Sequence, residues 1–292
     1  MTLPTLKTGS LRANGLDFHY LEAGEGPLAL CLHGFPDSPM TWRHILPALA
    51  AAGYRAVAPY MRGYAPTEVP STPAYDGSVL ASDANALHQA LGGKEDAVLI
   101  GHDWGALAAY GAALMDPVRW RRCVTLSVPP LPVFGQVAFD YAQIKRSFYF
   151  WFFQMKIAPA AVAANDLAFI DGIWADWSPG YDAREDLAYV KRCLGASENL
   201  AAALGYYWAN ISPQTFGIVV DPQPALAQPL LYLHGSRDGC IALSEKVVQA
   251  VPAYGASGSK AAIIANAGHF LTLEQPGPVT AQILDFIGQP GQ

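Results

Sequence analysis

Charge is scarce in this chain. Charged residues make up 14% of the 292 positions while hydrophobic ones make up 52%, against about a quarter charged in an ordinary globular protein. Most of the chain is therefore interior, and it is long enough for one large α/β core or a core with a smaller inserted unit. The formal charge is −6 and the isoelectric point about 5.6, so no basic surface for phosphates is expected and nucleic acid is disfavoured as a partner. Cysteines are few and scattered: Cys31, Cys123, Cys193 and Cys240 form no Cys-x-x-Cys pair, which argues against a disulfide framework or a thiolate metal site and for isolated buried thiols. The opening Met1-Thr2-Leu3-Pro4-Thr5-Leu6-Lys7 lacks the apolar core and cleavage site of a secretory leader, so a cytoplasmic protein is expected. Long apolar runs are missing too. Phe148-Tyr149-Phe150-Trp151-Phe152-Phe153 is broken by Gln154 and Lys156, far short of the roughly 20 apolar residues of a spanning helix. No His-Glu-x-x-His, phosphate-binding Gly-Lys-Ser/Thr loop or Gly-x-Gly-x-x-Gly is present, so neither a metal nor a nucleotide cofactor is expected. The glycosylation-like Asn210-Ile211-Ser212 is followed by Pro213, and with no export signal before it we discount it.

What is present is a rhythm of short apolar strands and helical patterns. Leu28-Ala29-Leu30-Cys31-Leu32, Arg55-Ala56-Val57-Ala58, Ala97-Val98-Leu99-Ile100 and Cys123-Val124-Thr125-Leu126-Ser127-Val128 read as strands covered on both faces of a doubly wound parallel sheet. Helical patterns lie between them, near 41–52, 78–91 and 104–115. Pro129-Pro130-Leu131-Pro132 then ends the module by fixing φ and removing donors. About 90 residues follow without a clear strand, with apolar residues at three-and-four spacing and a capping-box pattern at Asp182-Ala183-Arg184-Glu185. Strand text resumes at Leu230-Leu231-Tyr232-Leu233 and Ala261-Ala262-Ile263-Ile264. The expected organisation is a core of residues 1–130 and 223–292 interrupted by a helical unit at 131–222.

Gly101-His102-Asp103-Trp104-Gly105 carries the chemistry. It joins a strand to a helix in the context of a nucleophile elbow, where glycines permit a strained turn that lifts one side chain clear of the sheet. The lifted side chain is a carboxylate. A serine displacing a leaving group from saturated carbon would form an ether, which resists reopening, whereas a carboxylate forms an ester that water can hydrolyse. A glycine-flanked Asp is also a common turn residue, so the rest of the constellation must decide. After the strand ending at Leu32, His33-Gly34-Phe35-Pro36-Asp37 occupies the place of an oxyanion-hole loop, with the backbone N–H groups of Phe35 and Trp104 as candidate donors; a simple turn is the bland alternative. In Asn266-Ala267-Gly268-His269-Phe270, His269 lies just past a strand end, where its ordinary pKa suits a general base. Asp238, on the loop after the strand at 230–233, fits the anionic partner of that histidine, in the order nucleophile, acid, histidine. Pairing with Arg237, or capping a helix near residue 242, are its other readings.

With these residues in hand, the chain resembles α/β-hydrolase-fold epoxide hydrolases from about residue 10 to 287. His33-Gly34-Phe35-Pro36 with Trp42-Arg43, Arg62-Gly63-Tyr64, Gly101-His102-Asp103-Trp104-Gly105, Asp238 and Gly268-His269 stand in that family's order. The resemblance implies a mostly parallel eight-stranded sheet with an inserted helical cap, and a small apolar epoxide and water as reactants. It also implies two cap tyrosines that hold and protonate the epoxide oxygen. The first is similar to Tyr149, five residues before Gln154; the second resembles Tyr207, with the adjacent Tyr206 a rival and Tyr141, Tyr181 and Tyr189 not excluded. A phenol suits the task because it stays protonated at neutral pH and donates to a strongly basic alkoxide. His33, Pro36, Trp104, Tyr149 and Tyr207 are the expected substrate-binding residues. Haloalkane dehalogenases share the Asp nucleophile and often the following Trp, but commonly carry a polar halide-binding residue where Phe35 stands. Fluoroacetate dehalogenases use arginines near the nucleophile, at positions held here by Trp104 and Leu107. A ligand-binding relative without turnover is the alternative from another class. A homodimer is left open.

Overall fold

The computed structural model describes residues 6–211 and 224–290. Eight strands form one sheet in the order β1-β2-β4-β3-β5-β6-β7-β8: β1 (Lys7–Ala13), β2 (Leu16–Ala23), β3 (Leu28–Leu32), β4 (Arg55–Pro59), β5 (Val98–His102), β6 (Arg122–Leu126), β7 (Leu230–Gly235) and β8 (Lys260–Ile264). Only β2 runs antiparallel to its neighbours; every pairing from β4 to β8 is parallel. The apolar runs behave as expected of central strands, with every residue of β3, β5 and β7 buried. The β1–β2 hairpin lies ahead of the apolar runs, and Asn14-Gly15 forms its turn. Both residues have positive φ (43° and 79°), the conformation that a tight turn between twisted strands requires.

Helices α1 (Ile45–Ala51), α2 (Gly77–Ala90) and α3 (Trp104–Met115) flank the first half of the sheet. Between β6 and β7 the described chain has no strand and forms α4 (Leu131–Phe134), α5 (Tyr141–Arg146), α6 (Phe148–Phe152), α7 (Ala158–Trp177, broken by a kink at 164–167), α8 (Arg184–Leu194) and α9 (Ser197–Asn210). The expected boundary at 222 and the residues Ser212 and Pro213 lie outside the described residues. Asn210 is engaged inside the protein, its amide donating to the carbonyls of Tyr75 and Tyr206 and its oxygen accepting from the Gly77 N–H. The capping box at 182–185 does not form. α8 starts after Ala183 without a side-chain cap, and the Asp182 carboxylate accepts instead from the Arg184 backbone and guanidinium. Helices α10 (Glu245–Val248), α11 (Leu271–Glu274) and α12 (Pro276–Ile287) complete the chain. Among the described residues no helix is long and apolar enough to cross a membrane, and all four cysteines are buried free thiols. The loops leaving β3, β5, β7 and β8 all emerge at the carboxyl edge of the sheet, beneath α5–α9.

Candidate active site

The elbow is built by close backbone approach. Asp103 sits between β5 and α3 with φ 54° and ψ −120°, a conformation sparsely populated outside glycine and held only where its surroundings enforce it. A Cβ at Gly101 would collide with the Gly105 carbonyl, and one at Gly105 with the Leu32 carbonyl; neither position admits a larger residue. Gly34 has the same constraint from the other side, since its Cβ would run into Asp103 Oδ1 and stand 2.7 Å from the Trp104 nitrogen. That absent side chain leaves room for the Phe35 N–H to donate to Asp103 Oδ1 at 2.8 Å. Of the two amides expected to form an oxyanion hole, that of Phe35 already bonds one carboxylate oxygen.

The other oxygen, Oδ2, faces His269 Nε2 at 3.6 Å, and Nε2 has no hydrogen-bond partner within the protein. On the far side of the ring, Nδ1 lies 3.1 Å from Asp238 Oδ2. Asp238 also accepts from the Cys240 and Ile241 N–H groups through Oδ1 at 2.7 and 2.9 Å, which holds its own loop; it caps no helix, because the next one starts at Glu245 under a Ser244 cap. Arg237 turns away to the Asn266 carbonyl. Burial works to raise the Asp238 pKa, but His269 outweighs it, helped by His234 and the backbone donors, and the carboxyl lies below its ordinary range. Burial likewise works to lower the His269 pKa, and Asp238 together with Asp103 overcomes it, so the imidazole lies well above its usual value.

The helical segment supplies the roof. Tyr149 and Tyr207 are both fully buried, their rings 5.6 Å apart, and Tyr207 packs edge-on against Phe35 at 5.1 Å and Trp104 at 5.3 Å. Burial raises both phenols far above the ordinary tyrosine value, with Asp103 adding to the effect. Tyr206 is differently placed: its hydroxyl donates to the Arg62 carbonyl at 2.9 Å. Of the remaining candidates, Tyr141 is exposed, Tyr181 donates to Asp186 and Tyr189 stacks under Arg192, so none joins this cluster. Pro36 is buried and its carbonyl accepts from the Trp174 indole. His33 departs from the expected substrate-binding role. Its Nδ1 bonds the Gly34 carbonyl and its Nε2 accepts from the Met61 N–H, while burial lowers its pKa to about 4; it braces the loop as a neutral ring.

Several contributors carry no local sequence signal. The Trp177 carbonyl accepts from both the Gly239 and His269 N–H groups, and its ring packs edge-on to His269 at 4.8 Å. Gln143, buried in α5, donates to the Cys240 carbonyl and accepts from the Ala242 N–H. Both belong to helices whose pairing with the core loops no short motif encodes.

A family profile described as alpha/beta hydrolase fold matches residues 27–167, and a crystal structure of an α/β hydrolase from Nostoc superposes with a TM-score of 0.86 at 25% identity, covering 97% of this chain and 98% of that one. The chain has the α/β-hydrolase fold. The chain is also 29% identical to an epoxide hydrolase from Caballeronia sordidicola over 97% of its own length and 94% of that protein. Epoxide hydrolase A from Mycobacterium tuberculosis is likewise 29% identical, over 94% of this chain and 95% of that protein. The crystal structure of epoxide hydrolase A from Mycobacterium thermoresistibile aligns with a TM-score of 0.78 at 27% identity, covering 97% and 98%.

Proposed function

We propose that the hydrolase opens epoxides to vicinal diols through an ester on Asp103. The observation that carries this is the elbow carboxylate itself, with Oδ1 held by the Phe35 amide, Oδ2 facing His269, and two buried phenols above it. Because Oδ1 is occupied, Oδ2 is the nucleophile. It attacks a ring carbon, the carbon–oxygen bond breaks, and Tyr149 or Tyr207 protonates the leaving oxygen, giving a hydroxyalkyl ester. Ester formation removes the Asp103 charge, and with it one of the two carboxylates that raise the His269 pKa. The imidazole then deprotonates a water, which attacks the Asp103 carbonyl carbon. The amides of Phe35 and Trp104 hold the developing oxyanion, and the diol leaves. In this reading Asp238 orients His269, residues 131–222 form the lid, and its aromatic lining selects small apolar substrates.

The names of the relatives support the reaction, and repeated turnover in ¹⁸O-water tests the ester. Heavy oxygen is expected in the Asp103 carboxylate by mass analysis of its peptide; label confined to the diol would overturn the mechanism. Halide release from haloalkanes without diol formation from matched epoxides would identify a dehalogenase, and tight epoxide binding without conversion a binding protein.

A further inference from the structure

One residue beside the triad has no part in the mechanism above. Cys240 is buried, its N–H bonded to Asp238 and its carbonyl to Gln143, which fixes the thiol where its Sγ lies 3.5 Å from the Tyr149 hydroxyl. One ligand atom from each of Asp238, Cys240 and His269 lies within 4.8 Å of the other two. No other such group of three occurs among the described residues. The set of carboxylate, thiol and imidazole is a donor mixture that favours a soft or borderline divalent cation such as zinc or cadmium. Cys31, Cys123 and Cys193 are also buried but belong to no such group.

We propose that Asp238, Cys240 and His269 form an inhibitory site for soft divalent cations. The 3.1 Å between His269 Nδ1 and Asp238 Oδ2 is close to the roughly 3.3 Å between two ligands of a tetrahedral zinc ion with bonds near 2.0 Å. The cation takes the place of the proton shared by those atoms, and a rotation of the Cys240 side chain brings sulfur to bonding distance. Two protons depart to solvent, one from the thiol and one from Nδ1. No oxidant or reductant is involved. The imidazole left behind carries its remaining proton on Nε2 and no longer accepts one from water. Ester formation, which does not call on His269, survives; ester hydrolysis stops.

Cadmium titration of the full-length protein tests the site directly. One equivalent should bind with sulfur-to-cadmium charge-transfer absorption in the ultraviolet. X-ray absorption at the cadmium edge should give one sulfur among nitrogen and oxygen ligands. Cys240→Ser should abolish the charge-transfer band and weaken binding by more than about tenfold, the least that loss of even an outer partner costs at metal sites, with circular dichroism unchanged. No sulfur or several sulfurs around cadmium would overturn the proposal without any variant, as would a band that persists in Cys240→Ser. The effect on turnover rests on the function proposed above, whereas the spectra do not. Added cadmium should stop diol release after about one ester per chain; bound cadmium with turnover intact would refute the displacement of the His269 proton.

Discussion

The floor and the roof of the candidate site are held by different means. The floor is set by close contact: Gly34, Gly101 and Gly105 are each pressed so closely that a methyl group would collide with the elbow, the first turn of α3 or β3. The roof is attached by side chains reaching down to core carbonyls: Trp174 to Pro36, Tyr206 to Arg62, Asn199 to Gly63 and Gln143 to Cys240. Backbone contacts constrain residue type at known spacings, while side-chain tethers accept many solutions. The floor therefore holds the charged chemistry to a fixed geometry, and the roof depends on individual side-chain tethers.

Removing the floor's carboxylate should have the largest effect. Asp103→Ala is expected to lower diol formation by about 10⁴-fold or more, the scale on which loss of a nucleophile acts, measured by product chromatography. Near-native turnover would end the covalent reading. On the roof, Tyr149→Phe and Tyr207→Phe should each lower kcat/KM by about 10² to 10⁴, the usual range for a proton donor, with the rate of ester hydrolysis in single turnover little changed. Tyr206→Phe serves as the contrast. It loses only the bond to Arg62, and a kcat/KM deficit matching that of Tyr207→Phe would reverse the assignment.

The division also explains what the chain discloses before it is folded. Asp103, Asp238 and His269 stand just after apolar strands, and strand ends are countable in the text, so a fixed topology carries them to one edge of the sheet. The elbow and the parallel strands were legible for that reason. Tyr207 and Tyr206 are neighbours on α9, and only the direction of each ring, one toward Phe35 and the other toward Tyr75, separates them. The β1–β2 hairpin carries no such signal, because the edge strand β1 is largely exposed and polar residues alternate through β2, so neither has a continuous apolar run. Gln143 looked like any polar helix residue, although its amide bridges two backbone groups of the acid loop.

The free protein and its ester also respond differently to protons. In the free protein Asp103 and Asp238 both raise the His269 pKa; in the ester only Asp238 remains. A base must be neutral to act, so ester hydrolysis should rise with pH through a value below that of the free protein's imidazole. Asp238→Asn should shift that rise lower still. Single-turnover ester decay as a function of pH, set beside NMR titration of the His269 ring, measures both, and a rise at higher pH in the ester would contradict the scheme. The smallest effect expected is on the roof's anchorage. Gln143→Leu leaves the Cys240 carbonyl and Ala242 N–H without partners and should cost about 1–3 kcal/mol in urea unfolding, while kcat falls less than for either tyrosine variant.

A single oxygen atom links the acid and base loops to the helices above them. The carbonyl of Trp177 receives N–H groups from Gly239 and from His269, so swinging the end of α7 outward would pull apart the machinery it covers. One displaced peptide group at this corner would therefore loosen the acid and the base together.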